Sequence, residues 1–168
     1  KGTGITINIT LYYDSLYQYN DPFGTGWTHT YNIFIKEYSD GSVILRDGNE
    51  RRLYTKSGAN YIPQIGDYSL LTKNTDNTYT ITHKDGLRYN FNTDGKITTI
   101  IDRNNNTITF TYTNANLTTI TDSAGRNTTI TYDNNNHITA ITDPSGNTHT
   151  FIYSGNQLLP VSTPNAQL

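Results

Sequence analysis

The stretch that decides the fold is DSAGRNTTITYD at residues 122–133, followed by ITAITD at residues 138–143. Thr alternates with an apolar or aromatic residue at residues 129–132, and a period of two predicts strands that bury one face. Asn-rich residues 134–136 stand between the two strands, where a tight turn needs residues that tolerate a positive φ angle. The stretch therefore predicts a β-hairpin.

The same pattern recurs through the C-terminal half of the chain. Aromatic residues that end a strand recur every 20 or 21 residues, at Phe91, Tyr112, Tyr132 and Tyr153. Acidic residues that follow a strand have the same spacing, at Asp102, Asp122 and Asp143. Two short strands joined by a tip cannot bury their own apolar face, so we expect successive hairpins to stack into one sheet with a shared core.

The N-terminal half shows the same periodicity in residues 5–10 and 78–82. Asp-Gly turn dipeptides, as at residues 40–41 and 94–95, separate such runs. No window has the capped, amphipathic pattern of a helix of useful length. The sequence predicts an all-β fold of stacked antiparallel hairpins that form an extended, curved sheet, with a helix content near zero.

Composition limits both the size of the core and the kinds of partner. The 168 residues suffice for one domain, but only 33% are hydrophobic, so the core must be thin or extended. A net charge of −2 provides no basic field, and we expect neither nucleic-acid binding nor membrane insertion. The longest apolar runs fall far short of the roughly 20 residues that a membrane-spanning helix needs.

The sequence offers few candidates for catalytic or metal-binding residues. The chain has no Cys, which removes disulfides, thiolate nucleophiles and Cys-based metal sites. Its four histidines, at positions 29, 83, 137 and 149, lack the spacing of a metal or catalytic motif, and we expect them on the surface or in cross-strand positions. No nucleophile elbow or phosphate-binding loop is present. We therefore expect no catalytic residue, no metal and no cofactor.

A second motif, DPFGTGW, lies at residues 21–27. Gly24 and Gly26 suit a tight turn, and Trp27 is the only Trp of the chain. Two interpretations of Trp27 stay open. Together with Phe23 it could plug the open end of a sheet, or it could be a stacking platform for a sugar ring.

These residues carry a resemblance to a known family. The repeat at residues 122–143 resembles the YD repeat of RHS-repeat proteins. LYYDS at residues 11–15, followed by DPFGTGW, is similar to the domain that precedes the YD repeats in that family, with Asp14 in place of an Asn and Asp21 in place of a Gly. The resemblance extends from about Gly4 to Leu159.

The resemblance implies a β-sheet that spirals into a hollow shell around a C-terminal toxin or effector, in secreted or wall-associated bacterial proteins. It implies an N-terminal β domain of RHS type at residues 1–83, YD-repeat hairpins at 84–159 and a tail at 160–168. We expect an extracellular or cell-wall-associated location. The expected partners are further YD repeats of the parent chain and an enclosed effector. Phe23, Gly24, Gly26, Trp27 and the repeat aromatics and aspartates are then structural.

Two other functions stay open. The 14 Tyr and one Trp suggest a carbohydrate-binding or adhesion module that uses exposed aromatic rings. An enzyme has only the scattered histidines in its favour. Asp143-Pro144-Ser145-Gly146 resembles a segment at which RHS shells release their effector, but it has the repeat phase of residues 122–125, and this favours an ordinary turn.

The chain opens with Lys1 and contains no Met, which suggests a piece of a larger protein. The last predicted strand would then lack its neighbour, and two prolines in residues 159–164 disfavour a replacement. We expect residues after about Gln157 to be mobile or to contact a neighbouring molecule. We also expect weak edge-to-edge self-association.

Overall fold

The structure, a computed structural model, describes residues 5–16 and 19–160. All regular secondary structure in these residues is β-strand, and every strand pair is antiparallel. The prediction of an all-β fold built from antiparallel hairpins is confirmed. No helix in the described part of the chain could cross a membrane.

The N-terminal part consists of short strands in small sheets. Strand β1 (Leu11–Tyr13) pairs with β4 (Trp27–His29), and β2 (Asn20–Asp21) pairs with β3 (Gly24–Thr25) to form what we call the leading hairpin. A meander of consecutive strands follows, made of β5 (Ile33–Glu37), β6 (Val43–Asp47), β7 (Glu50–Ser57) and β8 (Asn60–Pro63).

The largest element is a nine-stranded sheet, here called the repeat sheet. Each of its strands pairs with the next one in the chain, as expected for stacked hairpins. The strands are β9 (Leu70–Lys73), β10 (Tyr79–Thr82), β11 (Arg88–Phe91), β12 (Ile97–Ile101), β13 (Thr107–Thr113), β14 (Asn116–Thr121), β15 (Asn127–Tyr132), β16 (Ile138–Thr142) and β17 (Thr148–Thr150). The sheet thus begins before residue 84.

The two faces of the repeat sheet differ because side chains alternate along each strand. Cross-strand pairs such as Ile100–Ile108 and Phe110–Ile120 face the core and are buried. Thr109 faces outward and is flanked by Thr99 and Thr121 on the neighbouring strands. Thr fits a solvent-facing strand position because it is β-branched and polar. This arrangement explains how a sheet forms in a chain with few apolar residues.

A single hydrophobic cluster joins the meander to the repeat sheet. Its fully buried members come from both parts, with Val43, Leu45 and Tyr54 from the meander and Ile81, Phe91, Ile97, Ile108, Ile120 and Ile138 from the repeat sheet. Burying each such side chain contributes roughly 1.5–3 kcal/mol. The leading hairpin adds Phe23 to the same cluster.

A backbone contact fixes the meander against the repeat sheet. The Ile35 N–H donates a 2.8 Å hydrogen bond to the Gly95 carbonyl, and Phe34 forms a bridge with Lys96. A Cβ at Gly95 would meet the carbonyl oxygen of Ile35, so this close approach requires Gly. Nearby, Glu37 accepts hydrogen bonds from Lys73 and from the Tyr79 hydroxyl, both at 2.7 Å.

The end of the described chain differs from expectation. Strands β18 (Tyr153–Ser154) and β19 (Gln157–Leu158) pair with each other, in what we call the closing hairpin, and they leave the repeat sheet. The Leu159 N–H donates to the Ile152 carbonyl at 2.8 Å. The expectation that residues after Gln157 are mobile or contact a neighbouring molecule is therefore wrong up to Leu159. Residues 161–168 of the predicted tail lie outside the described residues.

Candidate functional site

A five-residue turn recurs throughout the described chain. Its first N–H donates to the carbonyl of its fifth residue, and its fourth N–H donates to the carbonyl of its first. The fourth residue has a φ angle between 63° and 89° and is always Gly or Asn, the residues that adopt positive φ most readily. These turns, here called repeat turns, are residues 38–42, 74–78, 83–87, 92–96, 102–106, 122–126, 133–137 and 143–147.

The predicted structural aspartates Asp102, Asp122 and Asp143 each occupy the first position of a repeat turn. In each, Oδ1 accepts the N–H groups of the third and fifth residues at 2.8–2.9 Å, and Oδ2 accepts the side chain of the fifth residue at 2.7–2.8 Å. These hydrogen bonds lower the pKa of all three carboxyl groups. The aspartates are therefore ionised acceptors that close the turn.

Asp133 closes its turn in the same way, although the sequence repeat did not single it out. Its Oδ1 accepts the N–H groups of Asn135 and His137 at 2.8 and 2.9 Å, and its Oδ2 lies 3.3 Å from His137 Nδ1. The signal was present in the sequence as the Tyr-Asp dipeptide at residues 132–133.

The repeat aromatics occupy irregular points of the sheet. The strand register shifts at Asn90/Phe91, at Thr111/Tyr112 and at Thr131/Tyr132, so three of the four predicted aromatics lie at β-bulges. Phe91 is fully buried, and Tyr112, Tyr132 and Tyr153 are half-buried. The alternation of apolar residues did not reveal the bulges.

Two of the three repeat tyrosines are tied to a strand 15 residues earlier. The Tyr132 hydroxyl donates to the Leu117 carbonyl at 2.8 Å, and the Tyr153 hydroxyl donates to the Ile138 carbonyl at 2.7 Å. The Tyr112 hydroxyl makes no hydrogen bond within the described residues. Burial raises the pKa of all three hydroxyl groups, so they stay neutral and can donate.

Phe23 connects the start of the described chain to its end. Its side chain is fully buried, with the ring of Phe151 at 4.9 Å and that of His29 at 5.4 Å, both edge-on. The Pro22 carbonyl accepts the Ile138 N–H at 2.7 Å, and the Thr25 N–H donates to the Asn156 carbonyl at 2.9 Å. The leading hairpin therefore docks on the last repeats and the closing hairpin.

Gly24 permits this docking. Its φ angle is 85°, and a Cβ would meet the carbonyl oxygen of Asn156. Gly26 also has a positive φ angle, and a Cβ there would lie 2.9 Å from the Tyr13 ring. Both positions thus require Gly for conformation and for space.

Trp27 is half-buried and packs against the hydrophobic cluster. Its ring lies 5.0 Å from that of Tyr13, which is 61% exposed. The contact with the cluster supports the interpretation of Trp27 as part of a plug. The sugar-platform interpretation, in which Tyr13 would supply the more exposed ring, stays a prediction.

The histidines require a correction. The expectation of surface or cross-strand positions is wrong for His137, which is buried in a repeat turn. His29 does pair across strands, opposite Leu11, but it is only 4% exposed, and burial lowers its pKa to about 4. His83 is half-buried and His149 is exposed. Sequence spacing could not show this burial because it depends on the docking of distant segments.

Two clefts on the described part of the chain have room for a small ligand. One of about 460 Å³ is lined mainly by polar and charged side chains, among them Arg52, Asp67 and His83. The other, of about 230 Å³, lies at the seam between the N-terminal strands and the repeat sheet, and its lining includes His29 and Tyr112. In the described residues, the only hydrogen-bond partner of a histidine ring nitrogen is Asp133. No group of three or more His, Asp or Glu residues there could hold a metal ion.

Two family models match the chain. The model described as Teneurin YD-shell matches residues 32–166, well over half of the chain. The model described as Domain of unknown function (DUF6531) matches residues 1–54. The first covers the meander and the whole repeat sheet, and the second covers the leading hairpin with Phe23 and Trp27. The comparison with curated proteins gave no match.

Proposed function

The chain belongs to the Teneurin YD-shell family and is an RHS/YD-repeat protein, and on that premise we propose that it is a non-catalytic wall module of a β-shell. The shell encloses or presents a C-terminal toxin or effector. One observation supports this function above all. Strands β9 to β17 form one uninterrupted sheet in chain order. Across β12 to β15, the face of that sheet opposite the core carries mainly Thr, which is polar and uncharged.

The wall grows by repetition of a local unit. Each repeat turn closes with hydrogen bonds inside five residues, so the turn itself needs no contact with a distant segment. Strand β17 is the last strand of the sheet, and its outer edge is where a further YD repeat of the parent chain would pair. In this proposal residues 1–83 are the N-terminal β domain, residues 84–159 are YD-repeat hairpins and residues 160–168 are a tail.

The proposed location is extracellular or cell-wall-associated, in a secreted bacterial protein of the polymorphic-toxin or wall-associated type. Membership of the YD-shell family supports this location, and the absence of Cys from the chain is compatible with it. The repeat aspartates and tyrosines act through hydrogen bonds and packing, which need no cofactor.

Protease protection of the parent protein tests the enclosure. We expect a domain C-terminal to the YD repeats to resist proteinase K in the intact parent. Urea concentrations that unfold the repeat sheet should abolish this resistance. A matched sample of the C-terminal domain expressed alone should be digested at once. If the C-terminal domain is cut equally fast in the intact parent and alone, it is not enclosed.

A carbohydrate-binding or adhesion function is the second candidate. The exposed Tyr13 ring beside Trp27 favours it, since paired aromatic faces stack on sugar rings. A glycan array of the intact chain, with Trp27→Ala as the control, tests this function. Signals that Trp27→Ala abolishes would support it, and silence across the array would remove it.

Weak edge-to-edge self-association is a further part of the proposal. The residues of β17 are exposed, and among the described residues 5–16 and 19–160 the strand pairs on one side only, with β16. Sedimentation over a hundredfold range of concentration should show reversible association at the upper end. A strict monomer throughout would contradict an open edge at β17.

A further inference from the structure

A buried imidazole without a partner for its Nδ1 lies beside the leading hairpin. His29 contacts Phe23 edge-on at 5.4 Å, and Phe23 in turn contacts Phe151 of the last repeat. His29 Nδ1 is buried and has no hydrogen-bond partner in the described residues. A proton added to this ring would place a charge with an unsatisfied N–H in the hydrophobic cluster, which is costly.

The side chains that line the cavity beside His29 carry no net opposite charge. The titratable side chains that line the same seam cavity are Tyr31, Asp94, Lys96, Tyr112 and Tyr132. The tyrosines are neutral, and Asp94 and Lys96 have opposite charges. No charged group contributes to the depressed pKa of His29, since burial is its only cause. A protonated His29 can therefore gain solvation only if the seam opens.

We infer that the contact between the leading hairpin and the last repeats is an acid-sensitive latch that opens when His29 takes up a proton. Opening separates the Pro22 carbonyl from the Ile138 N–H and the Thr25 N–H from the Asn156 carbonyl, and it withdraws Phe23 from Phe151. The repeat sheet stays folded, because His29 belongs to none of its turns or strand pairs.

The direction and size of the effect follow from proton linkage. His29 binds a proton less readily in the docked state than in the released state, so docking is strongest above pH 6.5 and weakens as the pH falls towards 4. Between pH 7.5 and pH 4.5 the ratio of released to docked hairpin should rise roughly 70-fold, for a pKa that changes from 6.5 to about 4 on docking.

His137 provides an internal comparison. It is also buried and lies beside Ile138, but its Nδ1 has a partner, the Asp133 carboxylate at 3.3 Å. Repeat turns elsewhere place an Asn at the same position, as Asp143 does with Asn147. His137→Asn therefore removes a second buried imidazole and replaces it with a residue that the turn accepts.

Amide hydrogen exchange of the intact chain tests the latch. After correction for intrinsic rates, protection of the Ile138 and Thr25 amides should fall roughly 70-fold between pH 7.5 and 4.5. The Asp122 amide, inside a repeat turn, should change less than threefold. In His29→Phe the fall at Ile138 and Thr25 should disappear, whereas His137→Asn and the exposed-site control His149→Asn should retain most of it.

Each other outcome decides against the latch. An equal fall at Asp122 would mean that acid unfolds the whole sheet. An unchanged fall in His29→Phe would assign it to another group. If His29→Phe is undocked already at pH 7.5, His29→Gln serves as the second neutral variant, and a persistent fall in that variant would also overturn the latch. None of these readouts depends on enclosure of an effector, so the latch and the proposed function can fail separately.

Discussion

The leading hairpin and the repeat turns use the same backbone conformation for different purposes. Gly24 and Gly125 have φ angles of 85° and 78°, yet a Cβ at Gly24 would meet the Asn156 carbonyl oxygen, whereas a Cβ at Gly125 would meet nothing within 4 Å. The repeat turn is held by bonds inside five residues. The leading hairpin is held by contacts with segments more than 100 residues away, such as the Tyr153 hydroxyl, 3.5 Å from the Pro22 carbonyl.

Local contacts and contacts between distant segments therefore have different roles in this fold. Repeat turns give the sheet its regular order, and each can be changed with limited damage elsewhere. The leading hairpin gives the module its end-to-end closure, and its sequence must fit a partner surface. Substitutions in the two regions should therefore differ in size and in how far their effects spread.

The largest effect is expected for Phe23→Ala. Removal of a fully buried ring that contacts Phe151 and His29 should lower the free energy of unfolding by about 3–5 kcal/mol. Urea denaturation followed by circular dichroism measures this. Phe91→Ala, at an equally buried position inside the repeat sheet, is the matched control and should cost a similar amount.

The two variants should differ in the reach of their effect. Phe23→Ala should loosen the amides that join the leading hairpin to the last repeats and leave the amide of Asp122 protected. Phe91→Ala should loosen its neighbours β10 and β12 as well. Identical exchange patterns in the two variants would remove the distinction between the regions.

A second comparison uses Gly24→Ala and Gly125→Ala. Both force an L side chain into positive φ, which costs about 1–2 kcal/mol. Gly24→Ala also displaces the Asn156 carbonyl, so we expect a total loss of roughly 3 kcal/mol from backbone strain and lost docking. Thermal unfolding of both variants tests this, and equal losses would show that the contact with Asn156 is unimportant.

The repeat tyrosines allow a finer test inside one region. Tyr132→Phe removes the hydrogen bond to the Leu117 carbonyl and should cost about 1 kcal/mol. Tyr112→Phe should change stability by less than about 0.5 kcal/mol, because the Tyr112 hydroxyl has no hydrogen bond within the described residues to lose. A larger loss in Tyr112→Phe than in Tyr132→Phe would contradict the hydrogen-bond assignment.

A further small effect is expected between the two sheets, at Glu37. Hydrogen bonds from Lys73 and Tyr79 lower the pKa of Glu37, so its contribution is present above the ordinary value of 4.5 and is lost as the pH falls through the lowered pKa. The Glu37–Lys73 pair is partly exposed, and we expect Glu37→Gln to cost only about 0.5 kcal/mol at pH 7. High salt should shrink the difference further; a loss that is independent of salt would contradict an ionic origin.

The sequence could predict the repeat sheet because its determinants are local. Thr alternation, Asp at the first position of a turn and Gly or Asn at the fourth all act within a few residues, so the spacing of Asp102, Asp122 and Asp143 revealed the hairpins. The burial of His29 and the docking of Gly24 on Asn156 depend on segments that meet only in the folded chain. The bulge at Tyr132 was equally hidden, since a register shift does not change the order of residues.

The most direct test of the account is a nuclear Overhauser spectrum of the intact chain at neutral pH. We predict cross-peaks between neighbouring strands of the repeat sheet, such as Ile130 with Ile141, together with ring-to-ring cross-peaks between Phe23 and Phe151. These would show a regular wall closed by its leading hairpin. Strand cross-peaks without any contact between Phe23 and Phe151 would contradict this account, because the wall would then form while its two ends stay apart.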